Sequence, residues 1–249
     1  CLEGYGYWQY GFGYYVYFAD LLKKKTEGKL NLFESEKVHQ IALFQQSTFL
    51  NQNLVVNFSD SLPTASVFLG LSHYLSKIYS DFEVPETYLR SHYTDDHCSR
   101  WAPAIRNLLW FDEDSLPLPW RNGTHYSKDS EWFLSRHICE SGSFAFAAKG
   151  GHNDEPHNHN DIGHFILQGN TEVFFKDIGS GLYSKDYFSE KRYSFLCNGS
   201  QGHSVPIINE QFQTPGSAKY ANILHVSIGE DVDIYEMDIA NAYEVKSLQ

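Results

Sequence analysis

Apolar and aromatic residues recur at three- and four-residue steps through the first half of the chain, then at two-residue steps through much of the second. The first pattern predicts helices and the second predicts strands with one face buried. Tyr14 to Lys25 is dense in aromatics and closes on Lys23-Lys24-Lys25, charges that suit a helix C-terminus. Glu36 to Phe49 places Val38, Ile41, Ala42 and Phe49 on one stripe. Ser66 to Tyr79 does the same with Val67, Leu71, Tyr74, Leu75 and Ile78. A short helix is expected from Pro85 and another from Ala102 to Trp110, so the first half reads as a helical array or toroid. Asp112 to Lys128 carries Pro117, Pro119 and Asn122-Gly123 and is expected to be irregular, with a domain boundary at its end. Beyond it, strands are expected at Glu131–Arg136, Ser143–Lys149, Gly163–Leu167, Glu172–Asp177 and Ile223–Ile228, with a tight hairpin at Gln168-Gly169-Asn170-Thr171. The organisation expected is a helical portion over 1–128 and an antiparallel β-domain over 129–249.

Composition narrows the function classes. The 249 residues carry 31 acidic against 19 basic side chains, a net charge of −12, which argues against a nucleic-acid partner. There is no run of about 18 uninterrupted apolar residues, so no membrane-spanning helix is expected. Aromatics make up 16% of the chain and there are 12 histidines, a mixture used both by sugar-binding clefts and by ordinary cores. Cys1, Cys98, Cys139 and Cys197 are far apart and read as buried or incidental thiols. The sequons at Asn57, Asn122 and Asn198 matter only in a eukaryotic secretory setting. The chain starts on Cys1, with a motif-like stretch from its second residue, and is expected to be an internal piece of a longer protein. Its compartment is left open between an exported or periplasmic and a cytoplasmic bacterial protein.

Three stretches hold candidate chemistry. In Gly150-Gly151-His152-Asn153-Asp154-Glu155-Pro156-His157-Asn158-His159-Asn160-Asp161, an extended backbone would turn His157 and His159 to the same side. Two imidazoles on one face can begin a divalent-metal site, with Asp177 and His203 as donors from neighbouring segments. The set His159, Asp177 and His203 would leave one position open. The alternative is a solvated histidine-rich loop without a metal. The second stretch, Glu3-Gly4-Tyr5-Gly6-Tyr7-Trp8-Gln9-Tyr10-Gly11, interleaves aromatics with glycines, so that flat rings and backbone can approach a ligand or pack into a core. The third joins Asp177-Ile178-Gly179-Ser180-Gly181-Leu182-Tyr183 to Arg192-Tyr193-Ser194. Arg192 could clamp a substrate carboxylate or sit in a surface ion pair.

Together these stretches resemble the heparinase II/III-like polysaccharide lyases. The resemblance rests on Glu-Gly-Tyr-Gly-Tyr-Trp-Gln-Tyr-Gly, on Gly-Gly-His-Asn-Asp-Glu-Pro-His-Asn-His-Asn-Asp-Ile-Gly, on Lys-Asp-Ile-Gly-Ser-Gly, and on Arg-Tyr-Ser and Gly-His-Ser, in that order from Leu2 to about Gln213. It implies a partial (α/α) toroid followed by an antiparallel β-sandwich, with a cleft between them where uronic-acid glycans of heparin, heparan or alginate type are cut by β-elimination. It further implies that Tyr7 is the catalytic tyrosine and His157 the histidine at the cleft. Trp8, Tyr10, Tyr183 and Arg192 would contact an acidic polysaccharide or oligosaccharide. His159, Asp177 and His203 would hold a supporting metal, usually zinc. The residue that neutralises the uronate carboxylate in such enzymes would precede Cys1.

Two other readings compete. Gly151, five residues and then His157-x-His159 fits the opening of a cupin metal motif, but a glutamate is then wanted where Gly163 or His164 stands. A non-catalytic carbohydrate-binding module would use the same aromatics without cleaving the glycan.

Overall fold

The computed structural model describes residues 1–92, 95 and 100–245. The chain opens with a continuous helical stretch made of α1 (Tyr5–Tyr7), a π-helical turn (Trp8–Phe12) and α2 (Gly13–Lys25). Tyr5, Trp8, Phe12 and Val16 recur at helical steps and are buried, while Tyr7, Tyr10 and Tyr14 face outward. The wider π turn shifts side chains around the helix axis, and such turns often occur at functional sites.

The helices that follow are shorter than the sequence pattern predicts. α3 (Glu36–Ala42) stops well before Phe49, and the chain turns into a hairpin of β1 (Phe49–Asn51) and β2 (Leu54–Val55). Residues of strand character, Thr48, Phe49, Val55 and Val56, take over there, and Thr48 spends its hydroxyl on the carbonyls of Phe44 and Gln45. α4 covers only Leu69–Ser76, because Val67 is drawn into a bridge with Arg90, its N–H donating to Leu89 O at 2.7 Å. The turn expected after Pro85 is a 3₁₀ turn at Thr87–Leu89, and α5 spans Trp101–Leu109.

The second half is built on a five-stranded antiparallel sheet in the order β3-β4-β5-β7-β8. Its strands are β3 (Gly123–Ser127), β4 (Trp132–Cys139), β5 (Gly142–Lys149), β7 (Phe165–Gly169) and β8 (Glu172–Phe175). β3 lies inside the segment expected to be irregular, since Thr124 and Tyr126 favour a strand once β4 is there to pair with. β7 and β8 meet at the predicted hairpin, with Asn170 in the left-handed region at φ 55°. The short β6 (His152–Asn153) pairs with β9 (Gly216–Tyr220), and β10 (Asn222–Ser227) pairs with β11 (Ile234–Asp238).

Two-residue alternation gives the sheet a different partner on each face. Trp132, Leu134, Ala145, Ala147 and Ile166 join one buried cluster with Tyr5, Trp8, Val16, Phe49 and Leu71 from the helical half. On the opposite face Phe133 stacks on Tyr235 of β11, ring centroids 5.2 Å apart. Cys1 and Cys139 are exposed rather than buried and Cys197 is half-buried, all three as free thiols; Cys98 lies outside the described residues. The sequon residues Asn57 and Asn198 are buried, which removes them as sugar acceptors in the folded chain.

Arg136 of β4 ties the sheet to the helical half. Its side chain is buried, donates from Nε to Arg121 O at 2.8 Å and from Nη1 to Gln46 O at 3.2 Å, and also reaches Phe49 O. Burial pulls its pKa down to about 10, so the guanidinium stays charged at neutral pH. Arg136→Met should strand three carbonyls and lower stability by about 3 kcal/mol. A shift of the urea midpoint checks this, and an unchanged midpoint would refute it.

Candidate functional site

The site forms where the loop Ser59–Ser61 from the helical half meets the segment 152–164 and the loop 177–203. Ser59 is in the left-handed region at φ 61° and delivers Asp60 inward. Two glycines let other backbones close on the same loop. Gly4 (φ 90°) lies so near that a Cβ would sit 2.5 Å from Ser61 Oγ, and a Cβ on Gly179 (φ 71°) would sit 2.9 Å from Ser61 O. Only glycine permits both the backbone conformation and the approach. The tyrosine helix and the chain after Asp177 are thereby brought to one point.

Asp60 is the centre of this point, although no sequence motif marks it. Its side chain is fully buried. Oδ1 accepts from His159 Nε2 at 3.0 Å and from the Tyr187 hydroxyl. Oδ2 receives His157 Nδ1 at 2.8 Å, Arg192 Nη2 at 3.1 Å and the Tyr183 hydroxyl at 3.2 Å. Burial alone would raise this carboxyl's pKa. The hydrogen bonds from His159, Tyr187 and His157, with the Arg192 charge, outweigh it and hold Asp60 well below the usual carboxylate range.

On the open side of Asp60 stand Tyr7, His157 and Tyr183. The Tyr7 and His157 rings are 5.0 Å apart, and the Tyr7 and Tyr183 hydroxyls are 3.5 Å apart. His157 is not on a strand, as the alternation argument expected. It occupies a turn at φ 56°, a conformation costly for a non-glycine residue and held here by its bond to Asp60. Its imidazole shares a side with that of His159 because both reach the same carboxylate. Burial, the Tyr7 hydroxyl and the Asp60 charge all push the Tyr183 pKa up, so Tyr183 remains a proton donor.

Behind Asp60 lies a second, closed cluster. His159, Asp161, Asp177 and His203 each offer a ligand atom, and these atoms lie within 4.8 Å of one another. His159 Nδ1, Asp161 Oδ2, Asp177 Oδ2 and His203 Nδ1 are all buried and lack a hydrogen-bond partner. Their remaining polar atoms are occupied. His203 Nε2 donates to Cys197 O at 3.0 Å, Asp177 Oδ1 accepts from Gly179 N at 2.7 Å, and Asp161 Oδ1 accepts from Lys149 Nζ at 2.9 Å. Four converging, unsatisfied donors of mixed nitrogen and carboxylate oxygen suit a divalent cation such as zinc. His164 is close to Asp177 Oδ2, at 3.3 Å, but its Nδ1 lone pair is taken by Ser204 N. With Nδ1 accepting, the neutral ring carries its proton on Nε2 and offers no lone pair to a metal there; Nε2 is buried beside Asp177 without a hydrogen bond of its own.

The other expected site residues fall apart. Trp8 is 1% exposed, its indole N–H bonded to Ile41 O at 2.6 Å, so it belongs to the core and cannot touch a ligand. Tyr10 is on the surface, with the Arg100 guanidinium 3.9 Å from its ring centre. Arg192 is neither open to solvent nor in a surface pair: it turns inward to Asp60 and donates to Asn158 O and Tyr187 O. Sequence reasoning missed Asp60, Lys149, Asp161 and Tyr187. Asp60 offered one faint signal, an acid directly behind the apolar run around Phe58.

No protein-family profile matches the chain, and no curated protein matches it. Solved structures do. One titled a heparinase III (the BT4657 gene product) matches with a TM-score of 0.52 at 13% identity over 81% of this chain and 28% of its own. Another heparinase III matches with a TM-score of 0.53 at 16% identity over 84% of this chain and 31% of its own. The chain has the fold of the heparinase III structures. It spans less than a third of their length. Helices followed by an antiparallel sheet, read from the hydrophobic pattern, agree with that fold.

Lys149 is almost fully buried between Asp161 and Glu155, at 2.9 and 3.7 Å. Burial opposes all three charges, but the two carboxylates raise the Lys149 pKa and Lys149 lowers that of Asp161. The ion pair is the shorter one, and Glu155 is held above its ordinary value by burial. Asp161 thus adds stability above the unfolded carboxylate pKa of about 3.9, and loses it as the pH falls below. Lys149→Met should cost about 3–5 kcal/mol at pH 7. The deficit should narrow on acidification, as the abandoned carboxylates take up protons. Urea titrations at neutral and mildly acidic pH test both statements.

Proposed function

We propose that this chain carries the reaction centre of a polysaccharide lyase that cleaves uronic-acid-containing glycans by β-elimination. The reading is carried by Tyr7: a phenol from the helical half standing 5.0 Å, ring to ring, from a histidine of the β half, with a second phenol 3.5 Å from its hydroxyl. The shared heparinase III fold supports it, since those proteins are named for a heparin-directed activity. The toroid-and-sandwich architecture of such enzymes belongs to the same proposal.

Removing the C5 proton of a uronate builds negative charge next to a carboxylate, so the site must supply donors to that charge and a base for the proton. Tyr7 gives its phenolic proton to the departing glycosidic oxygen. The C5 proton passes to His157 as the C4–O bond breaks and a C4=C5 double bond forms. The imidazolium then gives up its proton and the Tyr7 phenolate regains one through solvent, so both groups are restored. If the phenolate of Tyr7 instead takes the C5 proton and passes it on to the glycosidic oxygen, no further proton has to move. Tyr183 stays protonated and offers a hydrogen bond to the sugar, while Arg192 adds fixed positive charge behind the His157 ring. A zinc ion held by His159, Asp177 and His203 would add positive charge behind the reacting centre and stiffen it.

A screen of uronic-acid polymers should yield products that absorb in the ultraviolet, from the new double bond. Tyr7→Phe should remove at least about 99% of that signal, in the range expected for loss of a general acid–base group, with bound metal unchanged. Full activity in Tyr7→Phe would take Tyr7 out of the mechanism. Elemental analysis should find about one divalent ion per chain, with zinc favoured by the donor set. His203→Ala should lose that ion, and retention would reject the ligand assignment.

A further inference from the structure

We propose that Asp60 is a positioning residue that fixes the tautomers of two histidines at once, so that His159 is left to bind metal through Nδ1 and His157 is left to face the cleft through Nε2. The proposal deepens the lyase reading and rests on it for the meaning of the cleft. The tautomer assignment itself rests on geometry alone.

The starting point is the capacity of one carboxylate. Asp60 is fully buried and has two oxygens, each able to accept about two hydrogen bonds. Five groups point donors at it: His159 Nε2 and Tyr187 on Oδ1, and His157 Nδ1, Arg192 Nη2 and Tyr183 on Oδ2. A carboxylate without its proton can only accept, so both imidazole nitrogens that meet it must carry hydrogen. In a neutral imidazole the other nitrogen then holds the lone pair. For His159 that nitrogen is Nδ1, which is buried, lacks any hydrogen-bond partner and belongs to the residue set with Asp161, Asp177 and His203. For His157 it is Nε2, on a ring that lies 5.0 Å from the Tyr7 ring.

The two histidines are separated by a single residue and diverge from one anchor. Oδ1 serves the closed cluster and Oδ2 the open cleft. A carboxylate behind a metal-binding histidine holds the ring in orientation and increases its basicity, and losing it typically costs 10–100-fold in metal affinity. Because the same carboxylate also holds His157 in its costly left-handed turn, a change in the closed cluster is passed to the cleft through one rigid group. The fifth donor exceeds the lone pairs available. Tyr183 makes the longest of the five bonds to Asp60, and its hydroxyl is also 3.4 Å from His157 Nδ1 and 3.5 Å from the Tyr7 hydroxyl, so it is the donor free to swing toward a substrate.

The test uses the full chain labelled with ¹⁵N-histidine, with long-range ¹H–¹⁵N correlations assigned through His157→Gln and His159→Gln. In the metal-free wild type, His159 should be protonated at Nε2 and His157 at Nδ1. On adding zinc, the His159 Nδ1 signal alone of that ring should shift. The opposite tautomer at either histidine, or a metal-linked shift at His159 Nε2, overturns the assignment. Asp60→Asn should weaken zinc binding 10–100-fold in competition with a chelator and should mix the tautomers of both rings. Zinc affinity within twofold of wild type would overturn the coupling. If Asp60→Asn does not fold, the wild-type spectra decide the assignment unaided. None of these readouts is catalytic, so failure to cleave any glycan would reject the lyase reading while leaving the Asp60 result standing.

Discussion

A single buried carboxylate draws three otherwise separate parts of this chain together. Asp60 comes from a loop in the helical half, yet all five of its donors come from beyond residue 150. Burying such a charge is expensive unless every lone pair is occupied, and here the donors exceed the lone pairs. The cost of burial therefore works as a constraint: the loops around 157, 187 and 192 must close on Asp60 for the carboxylate to be satisfied, and Tyr183 is the donor to spare. The candidate cleft and the candidate metal cluster are two sides of that closure.

The constraint also governs local backbone geometry. Ser59 and His157 both occupy left-handed conformations on either side of the Asp60–His157 bond. Gly4 and Gly179 bring the tyrosine helix and the loop after Asp177 against Ser61. Strain in non-glycine residues and tight glycine contacts are tolerated where surrounding bonds over-determine the structure. Around Asp60 they do so, and the outcome is a phenol from one half of the chain next to an imidazole from the other.

Charge balance reconciles the acidity of the chain with the lyase proposed for it. The net charge of −12 is a sum over the chain, whereas the buried acids of the site have local partners. Lys149 serves Asp161, Arg192 serves Asp60, and Asp177 faces His164 and His203. Asp161 and Asp177 in turn raise the His203 pKa against the effect of burial. A cation in that cluster would replace a proton as the balancing charge, and the field at the cleft depends on these local groups rather than on the sum.

Much of this was legible in the sequence. Periodicity marked helices ahead of strands; spacing suggested His159, Asp177 and His203, and the resemblance of the motifs to a lyase family drew attention to Tyr7 and His157, residues that now stand in two adjoining clusters. Local information sufficed because helical and strand periods are written in consecutive side chains, and motif residues carry their chemistry in their types. The end of α3 and the start of α4 were not legible, since the β1–β2 hairpin takes over the chain at Phe49 and an isolated bridge to Arg90 holds Val67 outside the helix. Nor was the inward turn of Trp8, which depends on a core shared by both halves. Asp60 was the largest omission: an aspartate between two serines has no distinguishing pattern, and its importance arises only when donors some hundred residues away converge on it. The sequence by itself determined which residue types were on hand and the order of helices and strands. Tertiary structure alone decided which of those groups share one buried charge, because desolvation and hydrogen-bond satisfaction are properties of a position in space and not of a position in the chain.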